Sequence, residues 1–159
     1  MKRVDNHSHI IHASIEDMVA SAKKNNVDQY SITEHVSQFT ELRRSVAFGS
    51  VHTTGKMFES LKEYDREFKR IDGKTLGGVR INRGLEVDYS PRYETQVGDF
   101  VNQEQWDILL CSVHEFEDGH DIERKAARTS GKTLGPDLWR NYFHLQNMPW
   151  KVASSLSMF

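Results

Sequence analysis

Near the amino terminus, the pattern of apolar residues predicts a strand, a helix and a second strand. The run Lys2–Asn6 predicts the first strand, and Val27–His35 predicts the second. Between them, Ser14 and Asp17 form a capping-box pattern that starts a helix ending at Lys23–Asn26. The helical spacing is set by Ile15, Met18, Val19 and Ala22. This order implies a right-handed crossover and parallel pairing, so the pattern predicts one β/α unit.

The middle of the chain predicts a loop, a helix and a strand. Residues 36–55 have no strong period and predict a loop long enough to cover a site. Apolar residues recur at helical spacing from Met57 to Ile71 and predict a helix that ends at Asp72-Gly73. Apolar and polar residues then alternate from Val79 to Tyr89, which predicts a strand with one face packed under helices. Its polar face carries Arg80, Asn82, Gly84, Glu86 and Asp88.

The last predicted unit is a helix followed by a strongly apolar strand. The helix runs from Tyr93 to about Gln105, and the strand Trp106–His114 is almost continuously apolar, as is typical of a strand buried on both faces. Repeated β/α units with polar residues at the carboxyl ends of their strands are typical of a barrel whose active site lies at that rim. The sequence therefore predicts a barrel-like α/β fold.

Length and composition favour one domain with a hydrophobic core. The chain has 159 residues, three prolines and no linker-like segment. Apolar residues make up 37% and charged residues 28%, which is polar for a globular chain but far from a disordered composition. We expect a single domain over residues 1–159.

Charge and cysteine content narrow the partners and the location. The 21 basic and 23 acidic residues give a net charge of −2 without long like-charge blocks, so nothing indicates binding to nucleic acid or to a membrane surface. The single cysteine excludes an internal disulfide framework, and neither a signal-peptide core nor a bilayer-spanning run is visible. We expect a cytoplasmic protein that acts on a small molecule.

Side chains that bind metals recur at the predicted strand ends. His7 and His9 are two residues apart on an extended segment, so both imidazoles point the same way and can bind one ion. An isolated pair of this kind is more often two surface histidines. On the second strand, the alternation places His35 and Glu34 on opposite faces, and we favour His35, on the face with small polar residues, as the ligand.

Two later strands supply further candidates. Glu86 lies on a polar face, where a carboxylate can bridge two cations; its structural alternative is an ion pair with Arg80 or Arg83. His114 ends an apolar run, so it is either a ligand or a core histidine with a backbone partner. Imidazoles and a carboxylate at successive strand ends fit zinc, manganese or iron.

Other polar residues have weaker claims. Three acidic residues are placed to orient the imidazoles, although surface charge is their commoner role: Asp5, Glu34 and Asp88. Three arginines match phosphate geometry, although most such residues are simply solvated: Arg43, Arg44 and Arg92. The histidines without a strand-end context are expected on loops or helix surfaces: His52, His120 and His144.

Together these segments resemble the PHP family, the polymerase and histidinol phosphatase superfamily, and more closely its histidinol-phosphatase branch. The resemblance runs from Val4 to about Tyr142. It rests on the order and spacing of five segments: Asp5-Asn6-His7-Ser8-His9, Ser14–Val19, Tyr30–His35, Gly84–Pro91 and Cys111–His114.

The resemblance implies a distorted seven-stranded β/α barrel, of which about four β/α units are recognisable here. It implies two or three divalent metal ions and hydrolysis of a phosphate monoester, with histidinol phosphate, from histidine biosynthesis, as the substrate of the branch. Carried over by position, His7, His9 and Glu86 hold one metal, Glu86 bridges to a second held by His114, and His35 serves a third. A metal-bound hydroxide would attack phosphorus, so no side-chain nucleophile is required.

The chain departs from the family pattern in two places. Relatives have a longer loop after the first histidine pair, with another ligand, whereas only Ile10–Ala13 intervenes here; whether His12 replaces that ligand stays open. Relatives also continue with strands that carry a Gly-His-x-Asp segment and an Asp-x-His pair. We therefore expect a C-terminally incomplete, partial barrel whose exposed edges favour oligomers. Residues 148–159 form an atypical tail, for which our hypothesis is a frameshifted or truncated gene copy.

Three functional hypotheses remain from the sequence. The first is a metal-dependent phosphatase of the histidinol-phosphate type, acting on a small phosphorylated substrate. The second is a PHP nuclease or nucleotidase. The chain's weak basic character and its Ser90–Tyr93 segment argue against this hypothesis. The third is an inactive fragment that needs a partner to supply further strands. The lineage favours the phosphatase, and activity of the isolated chain is left open.

Overall fold

The computed structural model describes residues 1–10, 13–49, 55–69, 75–116, 122, 140 and 144–145. Its strands are β1 (Val4–Asp5), β2 (Gln29–His35), β3 (Thr75–Leu76), β4 (Val79–Asp88) and β5 (Ile108–Ser112). Its helices are α1 (Ile15–Lys24), α2 (Thr40–Arg43), α3 (Leu61–Lys69) and α4 (Glu94–Val101), with a 3-10 turn at Val36–Gln38. The predicted tail, residues 148–159, lies outside the described residues.

Four parallel strands form the body of the sheet. β1 pairs with β2, β2 with β4, and β4 with β5, all in parallel. The short β3 pairs antiparallel with the start of β4 and was not predicted, because two residues carry no readable alternation. The four predicted strands are therefore all present, each shorter than or equal to its predicted span.

Helix α1 forms where the sequence predicted it. The Ser14 side chain accepts a hydrogen bond from the Asp17 amide, which satisfies one of the free N–H groups of the first turn. Ile15, Val19 and Ala22 are buried on the face that packs against the sheet. The helix ends at Lys24, and Asn26 follows in the left-handed region at φ 57°.

The alternation in β4 divides the molecule into a core and a polar interior face. Val79, Ile81, Leu85 and Val87 are at most 3% exposed and join the hydrophobic core. The opposite face is also buried, with Asn82, Glu86 and Asp88 each 2 or 3% exposed. Buried carboxylates need partners, so this face is where a functional site is expected.

The prediction of a loop over residues 36–55 was wrong for residues 36–43, whereas the described residues 44–49 form neither helix nor strand. The 3-10 turn and the four-residue α2 follow β2 directly, and Phe39 forms a parallel bridge with Phe58. Helix α3 begins at Leu61 rather than Met57, since Phe58 is held by that bridge; residues 70–74, where its end was predicted, lie outside the described residues. Elements this short are too brief to show a helical period.

The prediction that the β5 strand is buried on both faces was also wrong. Its residues are partly exposed, and Cys111 is exposed. Within the described residues β5 pairs only with β4, so its apolar sequence is not matched by complete burial. In the same described part of the chain, no helix is long and apolar enough to cross a membrane.

Candidate metal centre

The strand register brings the predicted ligand residues to one end of the sheet. His35 of β2 and Glu86 of β4 are directly paired, so both side chains leave the sheet at the same level. The segment after β1 runs beside β2, where the Thr33 amide donates to the Ser8 carbonyl at 2.8 Å. This contact places His7 and His9, which flank Ser8, over the end of β4.

Four imidazoles converge on the buried carboxylate of Glu86. Its Oε2 atom lies 2.8 Å from His7 Nε2, 3.2 Å from His9 Nε2 and 3.3 Å from His35 Nε2. Its Oε1 atom lies 3.2 Å from His114 Nε2. The predicted alternative, an ion pair of Glu86 with an arginine of its own strand, was wrong among the described contacts.

The neighbouring arginine has other partners. Arg83 lies 2.6 Å from Asp65 and 4.0 Å from the centre of the Trp106 ring. These contacts hold the guanidinium on the core side, away from Glu86.

The charge of Glu86 is strongly stabilised. Burial alone would raise its pKa, but hydrogen bonds with His114, His9 and Ser112 outweigh burial and hold the pKa well below its ordinary value. Burial lowers the pKa of His9, but the hydrogen bond to Glu86 and the charges of Glu34 and Glu86 raise it by more. The site is therefore a concentrated negative charge faced by imidazole nitrogens.

The separations of the donor atoms fit a divalent metal ion. His7 Nε2 and His9 Nε2 lie 3.0 Å apart, and with Glu86 they form a group in which every side chain offers a ligand atom. Two donors that bind one zinc ion at about 2.0 to 2.1 Å lie about 3.0 to 3.4 Å apart, depending on geometry. Lone pairs of two imidazoles aimed at one point repel each other unless a proton or a cation lies between them, so the residues fit a metal.

A second group of possible ligands adjoins the first. It contains His35, Asp88 and His114, whose ligand atoms lie within 4.8 Å of one another. Asp88 Oδ1 is 3.1 Å from His35 Nδ1 and 3.6 Å from His114 Nε2, while its Oδ2 accepts a hydrogen bond from the Ser37 amide. Because its second oxygen is fixed by the backbone, Asp88 holds His35 in place.

Two of the three acidic residues near the imidazoles are buried, although the sequence favoured a surface location for all three. Glu34 is completely buried and Asp88 is 3% exposed, so surface charge was the wrong expectation for both. Glu34 Oε1 accepts a short hydrogen bond from the Ile10 amide, and burial raises its pKa. Asp5 is partly exposed and its Oδ1 accepts from the His7 amide at 3.2 Å.

Sequence reasoning missed Ser112. Its hydroxyl donates a short hydrogen bond to Glu86 Oε1, beside His114. A usable signal existed, because Ser112 is two residues before His114 in the predicted strand Trp106–His114, and alternation places both on one face. Alternation in β5 could have identified it.

The structure does not bring the arginine candidates into the cluster. Arg43 is exposed, and Arg44 pairs with Glu59 at 3.4 Å, where both side chains are more than two-thirds exposed. Arg92 is exposed and its Nη1 lies 3.6 Å from Glu115. Their predicted role in phosphate binding stays a prediction.

The remaining histidines are mostly outside the described residues. His144 is exposed, as the sequence predicted. His12, His52 and His120 lie outside the described residues, so the question of His12 as a replacement ligand stays open.

Comparison with known proteins gives a consistent picture. The PHP domain family model matches residues 5–158. The histidinol-phosphatase of Lactococcus lactis subsp. lactis is 27% identical over 119 residues, which are 74% of this chain and 41% of that protein. The probable histidinol-phosphatase of Deinococcus radiodurans is 31% identical over 88 residues, which are 55% of this chain and 34% of that protein.

Two solved structures share the fold. The histidinol phosphate phosphatase of Lactococcus lactis subsp. lactis, crystallised with zinc, L-histidinol and phosphate, superposes with a TM-score of 0.56 at 20% identity, covering 74% of this chain and 42% of that one. The "putative histidinol phosphatase" of Listeria monocytogenes gives 0.56 at 31% identity, covering 72% and 47%. The predicted α/β fold, a partial β/α barrel with parallel strands, is confirmed, and the chain spans less than half the length of each of these relatives.

Proposed function

Because the chain belongs to the PHP domain family, we propose that it carries the metal-binding part of a phosphate monoester hydrolase that acts on histidinol phosphate. One observation supports this proposal above the others: four imidazoles meet a single buried carboxylate at the carboxyl end of a parallel sheet. Glu86 is only 2% exposed, so the cluster is not a solvated surface group. A buried carboxylate needs positive charge beside it, which a bound metal ion would supply.

The ligand set we propose follows the distances. His7, His9 and Glu86 would hold one ion, and the second carboxylate oxygen of Glu86 would join His114 at another. His35 would serve a third ion or the first one. The first is possible because His35 Nε2 lies 3.3 Å from Glu86 Oε2, the oxygen that also faces His7 and His9. Nitrogen and oxygen donors of this kind fit zinc, manganese or iron.

The chain's own residues would hold the reacting groups in place. A bound divalent metal supplies Lewis acidity and an activated water for attack on phosphorus. Glu86 offsets positive charge at the centre, and Asp88 fixes His35 through its Nδ1 atom. No side-chain nucleophile is needed in this scheme, in line with the sequence prediction.

The choice of substrate rests on the relatives. One related protein is named a histidinol-phosphatase and another a probable histidinol-phosphatase, and one structural neighbour was crystallised in complex with zinc, L-histidinol and phosphate. Arg92 follows the carboxyl end of β4, and its Nη1 lies 3.6 Å from Glu115, the residue after His114; it is our candidate for contact with the phosphate group. A partner or second copy that pairs with the sheet edge at β5 remains part of the proposal, since β5 pairs only with β4 among the described residues.

One preparation tests the proposal. We would purify the chain, measure its metal content by elemental analysis, and follow phosphate release from histidinol phosphate with added manganese or zinc. We expect bound metal and turnover that His9→Ala abolishes and His144→Ala, at an exposed histidine, leaves unchanged. Metal binding without turnover would assign only the metal site to this chain, and cleavage of single-stranded DNA instead would favour the nuclease hypothesis.

A further inference from the structure

Two buried polar atoms at the back of the cluster face each other. His9 Nδ1 and Glu34 Oε2 are 3.8 Å apart, and neither has a hydrogen-bond partner among the described residues. Buried polar atoms in folded proteins nearly always have a hydrogen-bond partner, so these two neighbouring atoms are expected to satisfy each other. Their separation of 3.8 Å is longer than a hydrogen bond, so the inference requires the His9 ring to approach Glu34.

Glu34 is held firmly enough to act as a fixed partner. Its other oxygen, Oε1, accepts the hydrogen bond from the Ile10 amide, one residue beyond His9. The carboxylate is completely buried, so its orientation is set by the protein rather than by solvent.

A similar arrangement, with a shorter contact, occurs at the neighbouring histidine. The rings of His9 and His35 stack with their centres 4.6 Å apart and their planes within 4°. His35 Nδ1 faces Asp88 at 3.1 Å, as His9 Nδ1 faces Glu34. Both rings therefore present Nε2 to the same oxygen of Glu86 while a buried carboxylate stands behind Nδ1.

We propose that Glu34 is a positioning residue that keeps the proton of His9 on Nδ1 and thereby leaves the Nε2 lone pair free for a metal. This inference rests on the proposed metal-binding function. A neutral imidazole carries one proton, and a carboxylate behind one nitrogen selects the tautomer that makes the other nitrogen a ligand. The role goes beyond anchoring Ile10, because anchoring requires only Oε1.

The experiment compares Glu34→Gln and Glu34→Met with a control, Glu41→Gln. Gln keeps an acceptor for the Ile10 amide but removes the charge, and Met removes both. The control loses a carboxylate that also accepts a backbone hydrogen bond, from the Leu61 amide at 2.6 Å, but lies outside the cluster. The readouts are imidazole ¹⁵N shifts of the metal-free chain at alkaline pH, which report the tautomer, and zinc affinity by competition with a chelating dye.

We expect His9 to carry its proton on Nδ1 in the unmodified chain and to shift towards the Nε2–H form in Glu34→Met. Zinc affinity should fall about 10- to 100-fold in Glu34→Met, the usual effect of removing such a partner. It should fall at least as much in Glu34→Gln, because the amide oxygen stays with the Ile10 amide and the NH2 group then faces His9 Nδ1 as a donor, which favours the Nε2–H form. Glu41→Gln should match the unmodified chain in both measurements. If Glu34→Met fails to fold, the Gln variant decides.

The result that would overturn the inference is an Nε2–H tautomer of His9 in the unmodified chain, or zinc affinity that neither Glu34 variant changes. Failure of the proposed function looks different. In that case the unmodified chain binds no zinc, while the ¹⁵N shifts still decide whether Glu34 sets the tautomer.

Discussion

Replacing Gly84 with alanine tests how tightly the strands that carry the cluster are packed. Gly84 lies on β4 between Thr33 of β2 and Ile108 of β5 in the register of the sheet. A Cβ atom there would lie 2.5 Å from Ile108 Cγ2, 2.6 Å from the Ile108 carbonyl oxygen and 2.9 Å from Thr33 Cγ2. One of these contacts is with backbone, so a side-chain rotation alone cannot relieve them.

The strands must therefore separate. Overpacking of this kind lowers the free energy of unfolding by about 1 to 3 kcal/mol. Alanine also reduces the conformational entropy of the unfolded chain, which raises the free energy of unfolding by about 0.4 to 1 kcal/mol at best. We expect the free energy of unfolding of Gly84→Ala to fall by about 1 to 2 kcal/mol. Separation of β5 from β4 also moves Ser112 away from Glu86, so zinc binding should weaken.

Urea denaturation followed by circular dichroism, with a zinc titration of each variant, measures both effects. Gly78→Ala is the matched control. Gly78 has φ 89°, and apart from its two chain neighbours no described residue has an atom within 4 Å of the position that an alanine methyl group would take. Alanine there therefore adds backbone strain without a clash among the described residues. That strain costs about 1 to 2 kcal/mol. It lies in the turn before β4, so zinc affinity should not change. Equal zinc affinity of Gly84→Ala and the unmodified chain, or equal weakening in both variants, would refute the reasoning.

Three further predictions follow from buried contacts. Tyr64→Phe removes a hydroxyl that donates towards the Ile32 and Gly84 carbonyls, and should cost about 1 kcal/mol in urea denaturation; no loss would mean that these contacts contribute nothing. The pKa of Glu86 is lower in the folded state than its ordinary value of 4.5, so its stabilising contribution is present above that pH and is lost as the pH falls below it. Acid titrations of the metal-free chain should show this loss, and Glu86→Gln should flatten it. Asp88→Asn removes the carboxylate behind His35 and should weaken zinc binding about 10- to 100-fold, whereas unchanged affinity would contradict its orienting role.

The approximate strand positions, and the strand faces on which His35 and Glu86 lie, were predictable because alternation has a fixed period. Alternation places His35 and Glu86 on the polar faces of their strands, whereas their direct pairing depends on the register of β2 against β4, which the structure shows and no local pattern records. Helix α1 was predictable for a similar reason, since Ser14 and the apolar spacing that follows are local signals.

The burial of Glu34 and the exposure of β5 could not be predicted in this way. Alternation places Glu34 on the face away from His35, but only the path of the chain after β1 brings the Ile10 amide and His9 Nδ1 to it. The apolar residues of β5 favour burial, but whether they are buried depends on which other segments of the chain cover the strand. Both are consequences of long-range contacts that no local pattern records.

A crystal structure of the zinc-loaded chain, with anomalous data collected at the zinc edge, tests the central claim most directly. We predict an anomalous peak within bonding distance of His7 Nε2, His9 Nε2 and Glu86, and loss of that peak in Glu86→Gln. A fully loaded crystal with no peak at Glu86, or with zinc bound only at other residues, would contradict the assignment of this cluster as a metal site.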